Sequence, residues 1–280
     1  MKDTSGGTKE FLVARGSGAS LENTSDWLAI EEPLEIRLGF GPEGRRKNAA
    51  LAVTMRTPGN DFDLVMGFLF TEGVISNKEE VLQMRFLGNG AANIVLAELH
   101  PAVPLDMERF RRNFYTGSSC GVCGKAALES VYAHSPFLLR PAYPKIPLSV
   151  LKSLPQALKG SQPLFSRTGG VHAAALFDAA GKMCCLREDI GRHNALDKLI
   201  GERLKNAVTP LSENLLLVSG RAGFEIVQKA LMAGIPFLAA VGAPSSLAVE
   251  LAESAQMTLV GFLRGEAFNI YAGKDRIISG

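Results

Sequence analysis

Four cysteines occur in 280 residues, at positions 120, 123, 184 and 185, and the first two sit in a glycine-bordered stretch, Gly117-Ser118-Ser119-Cys120-Gly121-Val122-Cys123-Gly124. Small residues on both sides make such a loop compliant. The residues that follow, Lys125-Ala126-Ala127-Leu128-Glu129-Ser130-Val131-Tyr132, read as a helix whose N-terminal dipole and free N–H groups face the thiols. That arrangement lowers a cysteine pKa and favours the thiolate, the form that attacks sulfur. Lys125 and the upstream Arg109, Arg111 and Arg112 act in the same direction.

Three chemistries fit the C-x-x-C pair. A structural zinc ion wants two more ligands, and Cys184-Cys185 supplies the count, yet adjacent residues on a strand point to opposite faces. A thioredoxin-like redox centre follows the first strand of its fold, whereas here the βα pattern comes mostly after the cysteines. The third is a persulfide carrier, in which Cys120 accepts sulfur from a donor and passes it on while Cys123 acts as a resolving or relay thiol. Cys184 and Cys185 themselves lie in an apolar strand, Met183-Cys184-Cys185-Leu186, where cysteine serves as a small hydrophobe.

Further groups stand at element ends. Thr168-Gly169-Gly170-Val171-His172 places paired glycines before a strand of alanines, where a ligand or another backbone approaches closely and His172 is either a donor or a core histidine. The run Glu188-Asp189-Ile190-Gly191-Arg192-His193-Asn194-Ala195-Leu196-Asp197-Lys198 opens a helix with Arg192 and His193, which suits an anion. Its plainer reading is a capped helix in which Asp189 or Asp197 pairs with Arg192 or Lys198. Finally, Ser219-Gly220-Arg221-Ala222-Gly223, Gly242-Ala243-Pro244-Ser245-Ser246 and Phe262-Leu263-Arg264-Gly265-Glu266-Ala267 fall at strand ends. Glycines let phosphate reach backbone N–H groups, arginine pairs with phosphate, and Phe262 offers a face to a base. Loops after strands are rich in Gly and Ser in any case.

The elements that must position these groups follow from periodicity. Residues 1–25 mix Gly, Ser, Thr and charge without a period and are expected as a mobile tail. A small α+β domain, 26–108, follows: a hairpin of Leu34 to Leu38 with Ala49 to Met55, a helix over Asp61 to Glu72 capped by Asn60 or Asp61, and strands near Met84 to Leu87 and Asn93 to Leu99. The cysteine loop, 109–126, separates it from an α/β domain, 127–280. That domain has a hairpin of Val171 to Asp178 with Lys182 to Arg187 and a helix over Arg192 to Lys205. Strands at Leu215 to Ser219, Pro236 to Val241 and Met257 to Phe262 then alternate with helices at Phe224 to Ala233 and Leu247 to Ala255. Such β-α-β crossovers imply parallel strands with helices on the faces, and a ligand crevice beyond their carboxyl ends.

A 46% hydrophobic and 21% charged composition is that of a globular protein, and a formal charge of +2 gives no basis for nucleic-acid binding. No stretch has the ~18 apolar residues of a membrane span and the start has no signal-peptide core. A cytoplasmic location is therefore expected.

In that order, Cys120-Gly121-Val122-Cys123-Gly124, Gly169-Gly170-Val171-His172-Ala173-Ala174, the Glu188 to Lys198 run and Thr258-Leu259-Val260-Gly261-Phe262-Leu263-Arg264 resemble the FdhD/NarQ family of formate dehydrogenase accessory sulfurtransferases, over about residues 33–278. The resemblance implies a catalytic Cys120, with Cys123 beside it, that takes persulfide sulfur from a cysteine desulfurase. It implies transfer to a molybdenum (or tungsten) bis(molybdopterin guanine dinucleotide) cofactor, bound as a client and handed to the formate dehydrogenase apoenzyme. It also implies a homodimer, a cofactor-binding segment of Phe262, Leu263, Arg264, Gly265, Glu266 and Ala267, and a cytidine-deaminase-like three-layer α/β/α fold for the second domain. No metal ligands and no tightly held cofactor of its own are expected. Relatives are more basic where this chain has Glu266, which puts Arg221 and Arg192 forward as compensating charges. Zinc deaminases need His-x-Glu before Pro-Cys-x-x-Cys, whereas His172 is followed by two alanines and the cysteines come first, so deamination is set aside. The rival functions are a non-catalytic cofactor chaperone and a structural-zinc C-x-x-C protein.

Overall fold

Side chains that alternate across a strand divide the core of this protein into two layers. The computed structural model describes residues 7–18, 20–88, 93–105 and 136–279. Cys120, Cys123 and the helix expected after them lie outside the described residues. Along the chain come β1 (Thr8–Ser17), β2 (Ser20–Ala29), β3 (Glu32–Phe40), β4 (Lys47–Arg56), α1 (Asp61–Thr71), β5 (Val81–Phe86), β6 (Ile94–Leu99), β7 (Ile146–Pro147), α2 (Leu148–Lys159), α3 (Pro163–Thr168), β8 (His172–Phe177), β9 (Met183–Asp189), α4 (Arg192–Lys205), β10 (Leu215–Val218), α5 (Phe224–Met232), β11 (Phe237–Ala240), α6 (Ser246–Ser254), β12 (Thr258–Arg264), β13 (Ala267–Ala272) and β14 (Ile277–Ile278).

The principal sheet has the order β13-β12-β11-β10-β8-β9. Its centre, β10, β11 and β12, is parallel, while β8, β9 and β13 each run antiparallel to the neighbour that precedes them towards the centre. Leu215, Leu217, Phe237, Ala239, Ala173, Ala175 and Phe177 face one layer, into which α2 sends Leu151, Leu154 and Leu158. Leu216, Val218, Leu238, Ala240, Ala174 and Leu176 face the other, shared with α4, α5 and α6. Strands buried on both faces need apolar residues at every position, which is why these segments read as continuous apolar runs. Mixed α/β architecture is thus as expected, with helices on both faces of the sheet.

The second sheet, β4-β3-β6-β5, holds α1 against α4. One apolar core runs through both units, joining Leu34, Ile36, Leu64 and Leu69 to Leu196, Leu199 and Ile200. The helices α1 and α4 cross at Gly67 and Gly201, where a Cβ on either would overlap the backbone of the other helix. Glycine is required there by contact rather than by its dihedral angles.

Two expectations are corrected. Residues 8–17 and 20–25, placed in a mobile tail, belong to the β1–β2 hairpin, paired from Thr8↔Ala29 to Ser17↔Ser20. Cross-strand pairing and anchors at its base order it more than apolar burial of its far end: Thr8 is 1% exposed and Arg167 of α3 lies 3.5 Å over the Trp27 ring, while Leu12 and Leu21 stay 76% and 77% exposed. Phe262 to Ala267, read as a loop leading on from the last parallel strand, is instead the tip of a hairpin. Strand β12 runs on to Arg264 and turns at Gly265, whose φ of 71° suits glycine, into β13.

The segment before α2 is tied to the sheet by Arg276, 2% exposed, which donates to the carbonyls of Arg140, Tyr143 and Gln256 at 2.7 Å each. Pairing of β7 with β14 completes the attachment.

Candidate functional site

Strand direction gathers the candidate residues on one edge of the principal sheet. The parallel strands end there at Val218, Ala240 and Arg264, and Ser219 and Val241 come next in the chain. Because β8 is antiparallel to β10, its first residue His172 lies on the same edge, and its partner Asp189 ends β9 beside it. The helix α4 therefore opens at this edge with Arg192 and His193. A crevice of about 550 Å³ is bounded on the strand side by His172, Ser219, Val241, Leu263 and Arg264, and on the helix side by Pro155, Leu158, Lys159, Gln162 and Phe165, with Gly169 to Val171 between. That volume lies in the range of small-molecule sites.

Of the six residues in the expected cofactor segment, Leu263 and Arg264 line this crevice. Phe262 does not; it is 39% exposed and held at φ 54°, a left-handed conformation that a bulky residue rarely adopts, by the bulge between Gly261 and Arg264. Glu266 points its carboxylate at Lys152 of α2, so its charge is matched within the chain. Arg192 and Arg221 add positive potential near His172. Burial, followed by the charges of Arg192, His193 and Arg221, holds the His172 imidazole below its ordinary pKa against the pull of Asp189. His172 is accordingly neutral at pH 7 and able both to donate and to accept.

Two buried polar atoms at this edge have no hydrogen-bond partner, Gln162 Nε2 and Arg192 Nε. Buried polar groups are almost always paired; two more among the described residues, Thr8 Oγ1 and Arg187 Nε, are unpaired away from the crevice. Neither Gln162 nor the helix side of the crevice was anticipated. A signal existed in the apolar stripe of Leu151, Leu154 and Leu158, spaced as on one face of a helix.

The Glu188 to Lys198 run separates into two jobs. The Asp189 carboxylate is fully buried, takes Lys198 Nζ at 2.6 Å, and accepts from the N–H groups of Thr57 and Gly191 and from Asn194. Asp197 accepts from Thr71 and Lys229, which also reaches Glu72. Burial acts against the charge on Lys229, and the two carboxylates outweigh it, so its pKa stands above the lysine range. Glu188 accepts from the N–H groups of Leu164 and Phe165, holding the start of α3. These residues build the frame, in line with the plainer reading of the run, except that Arg192 takes neither aspartate. His193 bonds Glu225 at 3.0 Å.

The loops after β10 and β11 also owe part of their glycine to the frame. Gly242 donates to the Gly220 carbonyl at 3.1 Å, and a Cβ on Gly242 would stand 2.9 Å from that same oxygen. Their pairing continues to a bridge between Ala222 and Pro244.

Strand parity sends the second cysteine pair to opposite faces, leaving Cys184 exposed and Cys185 buried. Burial, with Asp178 adding to it, raises the Cys184 thiol, and burial pushes Cys185 up to about 11. Both thiols are poorly ionised at pH 7 and make weak nucleophiles.

The FdhD/NarQ family model matches residues 29–278. The chain belongs to the FdhD/NarQ family. It is 47% identical over 277 residues to the sulfur carrier protein FdhD of Streptomyces coelicolor, covering 96% of this chain and 95% of that protein. To the protein of the same name from Mycobacterium tuberculosis it is 51% identical over 260 residues, covering 89% and 91%. A solved structure of a protein described as a formate dehydrogenase accessory protein, from Desulfotalea psychrophila, superposes with a TM-score of 0.71 at 23% identity, covering 97% of this chain and 99% of that one. The last comparison shows a shared fold. In this FdhD/NarQ chain, the carboxyl-edge crevice brings together parts of three of the four sequence runs, through His172, Leu263 with Arg264, and the adjacent Arg192; the C-x-x-C run lies outside the described residues.

Proposed function

We propose that this FdhD/NarQ protein is a sulfur carrier for a formate dehydrogenase, with Cys120 as the persulfide-bearing nucleophile and the carboxyl-edge crevice as the seat of a guanine nucleotide arm of the client cofactor. The crevice carries the second half of this reading, because Arg264, His172 and Ser219 converge there with an unpartnered buried amide. The names of the relatives support the first half. In the first step the Cys120 thiolate attacks the outer sulfur of a desulfurase persulfide, forming a new S–S bond, and the desulfurase cysteine leaves as thiolate. In the second, Cys123 attacks Cys120, a Cys120–Cys123 disulfide forms, and hydrosulfide departs with both electrons of the broken bond towards the molybdenum centre. A cellular dithiol then restores both thiols. Arg264 pairs with phosphate oxygens of the client, and neutral His172 and the Ser219 hydroxyl offer donors beside it.

The same proposal includes a homodimer, a cytoplasmic setting, a cysteine desulfurase donor and a cytidine-deaminase-like second unit, which helices on both faces of the mixed sheet support. The test is Cys120→Ala in cells that lack their own copy. A sulfur carrier loses the ability to restore formate oxidation, while a chaperone that only shields the cofactor retains it. Retained activity would reject the carrier role.

A further inference from the structure

Among the described residues, β1 and β2 pair only with each other. Past the base held by Thr8 and Trp27, the ribbon is open on both faces: Val13 and Thr24 are partly buried, and the other described residues from Phe11 to Ser25 are exposed. The pairing register sorts this outer part, because directly opposed residues share a face and successive ones alternate. One face carries Val13 opposite Thr24 and Arg15 opposite Glu22. The other carries Leu12 opposite Ser25, Ala14 opposite Asn23 and Gly16 opposite Leu21, with no charge among them. Its two leucines are 76% and 77% exposed. A two-stranded ribbon with nothing behind it is marginal in water, so this uncharged face gains from being covered.

The face is complementary to a second copy of itself. Two such arms, laid face to face and antiparallel about a two-fold axis between their Ala14–Asn23 pairs, set each Leu12 over the partner's Gly16 and each Leu21 over the partner's Ser25. Every large side chain then meets a small one, and one patch serves both sides, as a two-fold interface requires. The Arg15 and Glu22 side chains stay on the outer faces, so no charge is buried. The two bodies, each at the base of its own arm, lie at opposite ends of the contact. We propose that the β1–β2 arms of two chains pack on each other through Leu12 and Leu21. This rests on the homodimer reading above and names the contact that makes it. An arm face this short buries less than the ~1,200 Å² of a standard interface, so it supplies part of the dimer contact.

The experiment is sedimentation equilibrium of the full chain over a concentration series, for wild type and for Leu12→Glu combined with Leu21→Glu. The expected result is a dimer dissociation constant raised about ten-fold or more, as for loss of two central apolar contacts. At dilutions where both proteins are monomers, their melting temperatures are expected to match. Cross-linking checks the register: Ala14→Cys, with copper phenanthroline as the oxidant, is expected to give a disulfide between two copies of the position-14 peptide, and Arg15→Cys on the opposite face is not. The cross-link decides should the double variant unfold. A dissociation constant unchanged by the double substitution overturns the arm contact while leaving the homodimer in place. Position 14 linking no better than position 15 also overturns it. Wild type that stays monomeric throughout removes the homodimer reading and the arm contact together.

Discussion

Two polar regions lie within a few residues of each other in sequence and behave in opposite ways. Along the seam between α1 and α4 the buried charges are matched: Asp189 with Lys198, Asp197 with Lys229 and Thr71, and Asp63 with Arg187 and Lys205. At the sheet edge, beginning with Arg192 three residues after Asp189, Arg192 Nε and Gln162 Nε2 are left open, whereas along the seam only Arg187 Nε is, among the described residues. The same residue types thus serve as frame in one place and as ligand contacts in the other, and the difference lies in their partners. A network whose charges are paired fixes geometry.

The comparison can be broken most severely at the helix crossing. Gly201→Ala should force α1 and α4 apart and destabilise the fold by roughly 3 kcal/mol or more, read as a drop in the urea midpoint; an unchanged midpoint would show that the close crossing is dispensable. Next, Lys198→Met strands the fully buried Asp189 carboxylate and should remove about 3 to 5 kcal/mol, again by urea unfolding. On the crevice side the pattern should reverse. Arg264→Ala is expected to keep its unfolding midpoint yet bind GDP roughly ten-fold more weakly, with less dependence on salt. A stability loss without a binding loss would place Arg264 in the frame.

The smallest effect concerns His172. Its folded pKa lies below the ordinary 6.5, so the folded state resists the proton that the unfolded chain accepts. The associated stability is complete above pH 6.5 and is lost as the pH falls towards the lowered folded value. Comparing His172→Gln with wild type by unfolding at stepped pH should show the variant losing less stability on acidification. Parallel curves would remove His172 from the charged edge.

How legible this was depended on burial. From Val171 to Phe262 the strands and helices read directly from sequence, since strands covered on both faces are apolar throughout and the intervening helices show a 3.6-residue stripe. The helix α2 was hidden by Pro155 in its interior, a residue that argues against helix, and α3 by its length of six residues. Exposed hydrophobics such as Leu12 and Leu21 carry no inside-outside pattern, so the β1–β2 hairpin looked like a tail. The turn at Gly265 and Glu266 resembled any loop after a strand. At the site, His172 and Arg264 were recognisable by type and position. Gln162 was not, because a missing partner is a property of the fold and has no sequence signature.

The thiols supply the last comparison: burial pushes the Cys185 thiol up to about 11 and the exposed Cys184 is shifted upward too, whereas a sulfur carrier needs a thiolate at Cys120. The direct measurement is the intact mass of the full chain after incubation with a cysteine desulfurase and cysteine, followed by peptide mapping without reductant. The account predicts one added sulfur atom, carried on the Cys120 peptide and lost in Cys120→Ala. No added sulfur, or sulfur found on the Cys184–Cys185 peptide instead, would contradict it.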